Sequence, residues 1–370
     1  MRLSYQNANP YSGHESYYLK FDDRSSTNTN CLLVDSGENV NAEEDLDDDE
    51  SLSAILLTHA HADHYQTLAE NLDDRPRILT TPATASVLEN VLSEASKHAD
   101  SDGVEWSEIE GFVEPITDWY SVTSDVEVRP VPAGHVPGAC GYLVRFDGNK
   151  HALVTGDFTF DRAGGYPALP DKKLRDLGVD VLLLNASTSK PGQLTESVEE
   201  ILEQAVSGGD VLVTAGGMTC VKYVYVLGHL IDELDMGLTV SIAGQSAKIY
   251  DDLGYDVPNV ISHPVFDSPE EIEESDENYH RQLLEEHYDQ IEQAVLGEIT
   301  SSFAEDYDIT GRRSRVTGSD GDALEAAIEK AKDKEDDGDE DPSPSAGDIE
   351  VRAEGGDEEP EDDDPRPVHH

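Results

Sequence analysis

Apolar and polar positions follow two rhythms along this chain. In the first half, short apolar runs with period-two character predict strands at Ser16–Phe21 and Asn30–Asp35, joined by a Ser/Thr/Asn turn. Residues 37–51 read as an acidic polar loop, and the apolar run Ala54–Leu57 reads as a buried strand leading straight into His59. Helical spacing appears over Tyr65–Leu72 and again over Pro82–Val91, where proline opens the first turn. Val126–Val131, Cys140–Phe146 and Ala152–Thr155 predict further strands, with Asp147-Gly148 as a hairpin turn between the last two.

From residue 178 the rhythm changes. Val179–Leu184, Val211–Thr214 and Leu238–Ala243 read as strands, separated by helices over Leu194–Ala205 and Cys220–Leu234. Alternation of this kind predicts parallel βαβ units, so the fold class expected is α/β. Residues 268–300 read as a very acidic helical stretch. Beyond about residue 305 periodicity is lost, and from Lys330 the composition is that of a disordered acidic tail. No internal repeat is visible.

A length of 370 residues allows two or three domains and at least one sizeable core. There are 80 Asp and Glu against 25 Lys and Arg, a formal net charge of −55. The tail does not explain this. Residues 331–370 hold 17 acids and 4 bases, a contribution of −13, so the other 330 residues still carry −42. With 37% hydrophobic residues in orderly runs, disorder is a poor account of the acidity. Adaptation to molar salt is a better one. There the Debye length falls to about 3 Å, self-repulsion is screened, and a carboxylate-rich surface keeps the protein hydrated. An extreme halophile, a haloarchaeon, is the source expected. No apolar run is long enough to span a membrane, and MRLSYQNANP lacks the apolar centre of a signal peptide, so a cytoplasmic location without membrane partners is expected. Cys31, Cys140 and Cys220 are odd in number and far apart, which argues against a disulfide framework or a Cys-rich zinc module.

The candidate chemistry is concentrated in Thr58-His59-Ala60-His61-Ala62-Asp63-His64, directly after a buried strand. On an extended loop, residues two apart point the same way, so His59 and His61 can hold one metal ion. Asp63 and His64 follow at the turn into the next element and can face a second. Imidazole nitrogen and carboxylate oxygen are ligands that zinc accepts at about 2.0–2.2 Å. The bland alternative is a polar loop with incidental histidines. Gly134-His135-Val136-Pro137-Gly138 adds a histidine in a glycine-shaped turn, and Thr155-Gly156-Asp157 adds an aspartate at the end of an apolar strand. Each is weak alone, since a strand-end Asp is more often a cap or turn residue.

THAHADH, GHVPG and TGDF, in this order and at these intervals, resemble the metallo-β-lactamase fold, as do the opening strands and CLLVDSG at residues 31–37. The resemblance covers residues 1–187. It implies an αββα sandwich with two divalent metal ions, zinc being the first expectation, although manganese or iron suits the same ligands. His59, His61 and His135 would bind the first metal, Asp63 and His64 the second, and Asp157 would bridge the two. A hydroxide held between the metals would be the nucleophile, with Asp63 able to orient it.

SGGDVLVTA at residues 207–215 and LTVSIAGQSAKIY at residues 238–250 resemble the added domain of β-CASP nucleases, which process RNA, including mRNA 3′-end processing factors and exonucleases of haloarchaea. The organisation expected is therefore a metallo-β-lactamase-like domain at 1–187, a partial β-CASP-like α/β segment at 188–266, an acidic helical segment at 267–305 and an acidic, largely disordered tail at 306–370. Two departures stand out. Leu184-Asn185-Ala186-Ser187-Thr188 lacks the acid usual in that strand, and Thr219-Cys220 replaces the usual Gly-Arg. No counterpart of the family's late histidines is found. His229, His263, His280 and His287 read as ordinary surface or packed histidines, so the resemblance leaves the second metal one ligand short and the general acid unassigned.

The function expected is a metal-dependent phosphodiesterase acting on RNA, with RNA as its partner. A net charge of −55 opposes phosphate binding at low salt, an objection weakened where salt already screens steering. Arg312-Arg313-Ser314-Arg315 is a possible contact, or simply a solvated turn. Two alternatives remain open, namely a thioester or lactone hydrolase on the same fold and a non-catalytic RNA-processing relative. For the tail the expectation is specific. Residues 331–370 hold little apolar surface, while ordering them costs about 1–2 kcal/mol per residue. Deleting them should leave the thermal midpoint in molar KCl nearly unchanged, and a fall of many degrees would show that the tail docks on the body.

Overall fold

A computed structural model describes residues 1–8, 16–22, 28–98, 104–185, 193–206, 211, 213, 215–242 and 244–262. The acidic helix expected at 268–300, the tail, the motif residues 207–210 and Ala186–Thr188 lie outside the described residues.

The strands are β1 (Arg2–Asn7), β2 (Tyr17–Asp22), β3 (Thr29–Val34), β4 (Glu50–Leu56), β5 (Arg77–Thr80), β6 (Val113–Pro115), β7 (Tyr120–Ser121), β8 (Val126–Pro132), β9 (Cys140–Phe146), β10 (Lys150–Val154), β11 (Val181–Leu183), β12 (Val240–Ile242) and β13 (Val260–Ser262). The helices are α1 (Ala42–Asp45), α2 (Ala62–Tyr65), α3 (Pro82–His98), α4 (Trp106–Ile109), α5 (Asp171–Leu177), α6 (Gln193–Val206), α7 (Gly217–Glu233) and α8 (Gly244–Asp252).

A six-stranded sheet runs β1-β2-β3-β4-β5-β6 and a five-stranded sheet runs β11-β10-β9-β8-β7. Strand alternation decides how they stack. In the first sheet, Leu19, Phe21, Leu32, Val34, Ala54, Leu56 and Leu79 point to one side and meet Val126, Val128, Tyr142, Val144, Ala152 and Val154 of the second sheet. The opposite faces are also apolar. Tyr18, Leu33, Ile55, Leu57 and Ile78 pack against Val87, Leu88 and Leu92 of α3, while Val131, Leu143 and Leu153 take Leu174 of α5. Helix, sheet, sheet, helix is the layering of a metallo-β-lactamase fold, as the resemblance of the motifs implied.

The second half adds α6, α7, α8 and the parallel pair β12–β13, matching the βαβ rhythm. Met218, Val221 and Val224 of α7 and Ala247, Ile249 and Tyr250 of α8 belong to the same apolar cluster as Leu33 and Ile55, so this segment shares a core with the sandwich. Its own cluster gathers Leu194, Val198, Leu202, Tyr223, Val226 and Leu227.

Some elements differ from the sequence reading. Tyr65–Leu72 is not one helix. α2 stops at Tyr65 and a short 3₁₀ turn spans Ala69–Asn71, because Thr67 and Asn71 are drawn into side-chain bonds with the loop after β3. The strand expected over Val211–Thr214 is seen only as a single bridge residue at Val211, residues 212 and 214 being undescribed. β1 was not foreseen, since it is an edge strand exposed along most of its length and carries little apolar pattern. The Asp147-Gly148 turn is as expected, with φ of 48° and 81° at the two residues.

Tyr142 on β9 ties the two sheets together where they approach the candidate site. Its buried hydroxyl lies 2.9 Å from Leu57 O and 2.7 Å from Leu79 O and donates between them. Both carbonyls keep other donors, Thr80 Oγ1 at Leu57 O and Leu57 N at Leu79 O. Tyr142→Phe should therefore cost only about 1 kcal/mol by urea denaturation in molar KCl, with an unchanged m-value. A loss several times larger would mean that the hydroxyl sets the spacing of the sheets.

Candidate metal centre

Four strand ends converge at one edge of the sandwich. β3 and β4 are parallel neighbours, and β8 and β10 run the same way because each is antiparallel to β9. Asp35 follows β3, Thr58-His59 follows β4, His135 follows β8, and Asp157 follows β10. Two glycines make the last two placements possible. Gly134 has φ of 77° and a Cβ there would lie 2.3 Å from Pro167 O, while Gly156 has φ of 54° and a Cβ would meet the Thr58 side chain at 2.8 Å.

His59 Nε2 lies 3.0 Å from His61 Nδ1, and His61 Nδ1 lies 3.2 Å from His135 Nε2. The proton inventory fixes the state of one of these nitrogens. Thr58 Oγ1 donates its single proton to Asp35 Oδ2 at 2.8 Å, so in its 3.0 Å contact with His59 Nδ1 the ring nitrogen must be the donor. That fixes the tautomer with His59 Nε2 bare. A tetrahedral ion with bonds of about 2.0–2.1 Å would set neighbouring nitrogens about 3.3 Å apart, close to the spacings found. The three histidines fit a divalent metal.

A second group, His59, His64 and Asp157, also brings ligand atoms within 4.8 Å of one another. His64 Nδ1 lies 2.8 Å from Asp35 Oδ2, which turns Nε2 towards the cluster. Asp157 Oδ2 lies 3.4 Å from His135 Nε2. Asp63 stands apart from both groups. Its carboxylate is 3.6 Å from His64 Nε2, and its side chain is 36% exposed on the solvent side.

Electrostatics separate the rings. Burial, reinforced by neighbouring histidines, pushes His59 well below its ordinary range; burial likewise lowers His61 to about 4 and His135 to about 3. Those three rings stay neutral, the form in which imidazole binds metal. Burial would lower His64 too, but the Asp35 carboxylate against its Nδ1 outweighs this and raises it to about 10.

Residues 31–213 match a family model described as the β-lactamase superfamily domain. The chain carries a metallo-β-lactamase superfamily domain. Among curated proteins it is 28% identical over 219 residues to a ribonuclease of Thermus thermophilus, covering 55% of this chain and 50% of that one. It is 26% identical over 166 residues to the DNA cross-link repair 1A protein of Homo sapiens, covering 45% and 14%. A third relative, named a probable metallo-hydrolase of Streptococcus pyogenes, is 29% identical over 182 residues, covering 47% and 73%. The match thus spans half the length of the ribonuclease and a small fraction of the repair protein.

Three residues of this metallo-β-lactamase domain escaped the sequence reading. Asp35 appeared only as the end of a strand and inside the CLLVDSG resemblance, yet it is 1% exposed and accepts bonds from Thr58 N at 2.8 Å, Thr58 Oγ1 and His64 Nδ1. Thr58 was read as the start of the motif rather than as the group that orients His59. Asn185, noted for replacing an acid, donates from Nδ2 to Asp157 Oδ1 in a short contact, and its backbone N–H donates to Thr155 Oγ1. It leaves Asp157 Oδ2 facing the histidines. The left-handed backbone of Asp35, φ 55°, is a signal of a specialised position that the sequence alone does not display.

Removing the Asp35 carboxylate strands a buried imidazole and two buried donors of Thr58. Asp35→Ala should cost roughly 3 kcal/mol or more of unfolding free energy in molar KCl. A variant as stable as the parent, by urea denaturation, would show that the three bonds contribute nothing net.

Proposed function

We propose that this protein is a metal-dependent phosphodiesterase that hydrolyses RNA. The observation that carries the reading is the convergence of ring nitrogens of His59, His61 and His135 within 4.8 Å of one another, beside a second His/Asp group. Support for a nucleic-acid substrate comes from relatives named as a ribonuclease and a DNA cross-link repair protein. In this reading His59, His61 and His135 hold one divalent ion, His64 and Asp63 a second, and Asp157 bridges them, zinc being the first expectation. Divalent ions there would supply positive charge to a phosphoryl oxygen and make water a stronger acid.

The chain's own residues prepare that chemistry. Thr58 and Asp35 fix two imidazoles in the orientation that exposes Nε2, an arrangement in which ligand basicity rises. Asn185 fixes Asp157. Asp63, whose carboxylate lies 3.6 Å from His64 Nε2, would orient the attacking water in this reading. Residues 1–187 form the catalytic domain in this reading, and 188–266 a β-CASP-like addition bordering the site. The acidity of the whole chain fits a protein of a haloarchaeal cytoplasm, where screened charges permit an RNA substrate to approach. Among the described residues no helix is long and apolar enough to cross a membrane.

Metal stoichiometry and cleavage together test the reading. Asp157→Ala should weaken both metal sites and abolish RNA hydrolysis, whereas His64→Ala should retain about one metal per chain and lose most activity. Elemental analysis and labelled RNA, DNA and thioester substrates in molar KCl provide the measurement. Two bound metals with thioester but no RNA turnover would favour a small-molecule hydrolase, and wild-type protein without metal affinity would favour a non-catalytic relative.

A further inference from the structure

Helix α7 approaches the metal centre from the added segment, and Lys222 is the one charged residue in its first two turns. Met218, Val221 and Val224 enter the main core, while Lys222 points out of it, half-buried. Its Nζ donates to the backbone carbonyl of His135 at 2.7 Å. Among the described residues this is its only hydrogen bond, and no carboxylate lies within ion-pair distance of it. Asp161 is close enough to act on it electrostatically, but both Asp161 oxygens are occupied by Thr195, at 3.0 Å from the backbone N–H and 2.7 Å from Oγ1. The ammonium also acts on His61 and His135, opposing positive charge on either ring.

Burial lowers Lys222 to about 8 against the pull of Asp161, so its charged form beside a cluster built for divalent cations is disfavoured unless something negative is shared between them. Asp161 offsets this only in part and from beyond ion-pair distance, and two of the three N–H donors of Lys222 have no partner among the described residues. An anionic substrate would resolve the conflict. We propose that Lys222 is a substrate-binding residue whose ammonium holds an anionic oxygen of the scissile phosphate at the metal centre, while its bond to the His135 carbonyl keeps it there. The proposal rests on the phosphodiesterase reading for the identity of the substrate, and on the position of Lys222 for the need of an anion.

The test uses the full-length, metal-loaded protein in molar KCl and inorganic phosphate as the probe, titrated calorimetrically, with RNA kinetics alongside. Lys222→Gln keeps a donor for the His135 carbonyl and removes the charge. It should retain the parental metal content, bind phosphate about tenfold or more weakly, and show a raised KM for RNA, because a hydrogen bond to a charged group is lost. Lys222→Arg should keep most of the phosphate affinity. Unchanged phosphate affinity in a metal-replete Lys222→Gln variant would overturn the proposal and reduce Lys222 to a tether between α7 and the His135 loop. If Lys222→Gln loses its metal or its fold, Lys222→Arg decides: phosphate binding near the parental value supports the proposal, and its loss with metal retained overturns it. The two readings also fail separately. Wild type that leaves RNA intact, yet loses phosphate binding on Lys222→Gln, would sink the ribonuclease reading and leave Lys222 as an anion-holding residue. RNA cleaved equally by both proteins would do the reverse.

Discussion

The Asp35 carboxylate, buried at 1% exposure, is held by the Thr58 backbone N–H, the Thr58 hydroxyl and the His64 ring. A charge this deep is tolerated only when it is paired and hydrogen-bonded. Meeting that condition dictates much of the centre. Thr58 must turn its hydroxyl inward, which leaves its oxygen to accept from His59 Nδ1 and bares His59 Nε2. His64 must present Nδ1 to Asp35, which sends Nε2 into the cluster. One carboxylate thereby sets the orientation of two rings that stand five residues apart in the chain.

The sandwich makes that geometry rigid. Each site residue follows a strand whose side chains are fixed in the inter-sheet core, such as Val34 and Leu56 before Asp35 and Thr58, and Val154 before Asp157. Ligand positions are therefore inherited from packed β-structure, with little entropy left to lose on binding a metal. The loops that carry His135 and Asp157 are joined by a bridge between Gly134 and Phe158 and by the Thr159 N–H to Ala133 O bond of 2.9 Å. They form one unit around the cluster.

The added segment closes the site from the side of α7. Because its helices share a core with the first sheet, the bond from Lys222 to His135 O is braced by apolar packing at Met218, Val221 and Val224. The site thus combines three histidines kept neutral by burial, a fourth whose charge is favoured by Asp35, an acid on its solvent side and a lysine beside it, within a chain whose net charge is −55.

Sequence alone was enough for the sandwich strands, the α/β class and the local ligand motif. Apolar period-two runs are dictated by burial on both faces of a sheet, and His59, His61, Asp63 and His64 fall within one short loop where spacing by itself determines direction. His135 and Asp157 were legible as candidates through their glycine turns and strand-end positions. Their convergence with His59 came from topology, since β8 and β10 reach the same edge only because both pair with β9. The breakdown of the helix expected over Tyr65–Leu72 was equally out of reach, for Asn71 spends its amide on Val40 O and Ser36 Oγ, partners more than thirty residues away. Asp35, Thr58, Asn185 and Lys222 are ordinary polar residues in a string of letters. They acquire a role only through hydrogen bonds that span tens of residues, and which distant donor meets which acceptor is fixed by the packed sheets rather than by any local pattern.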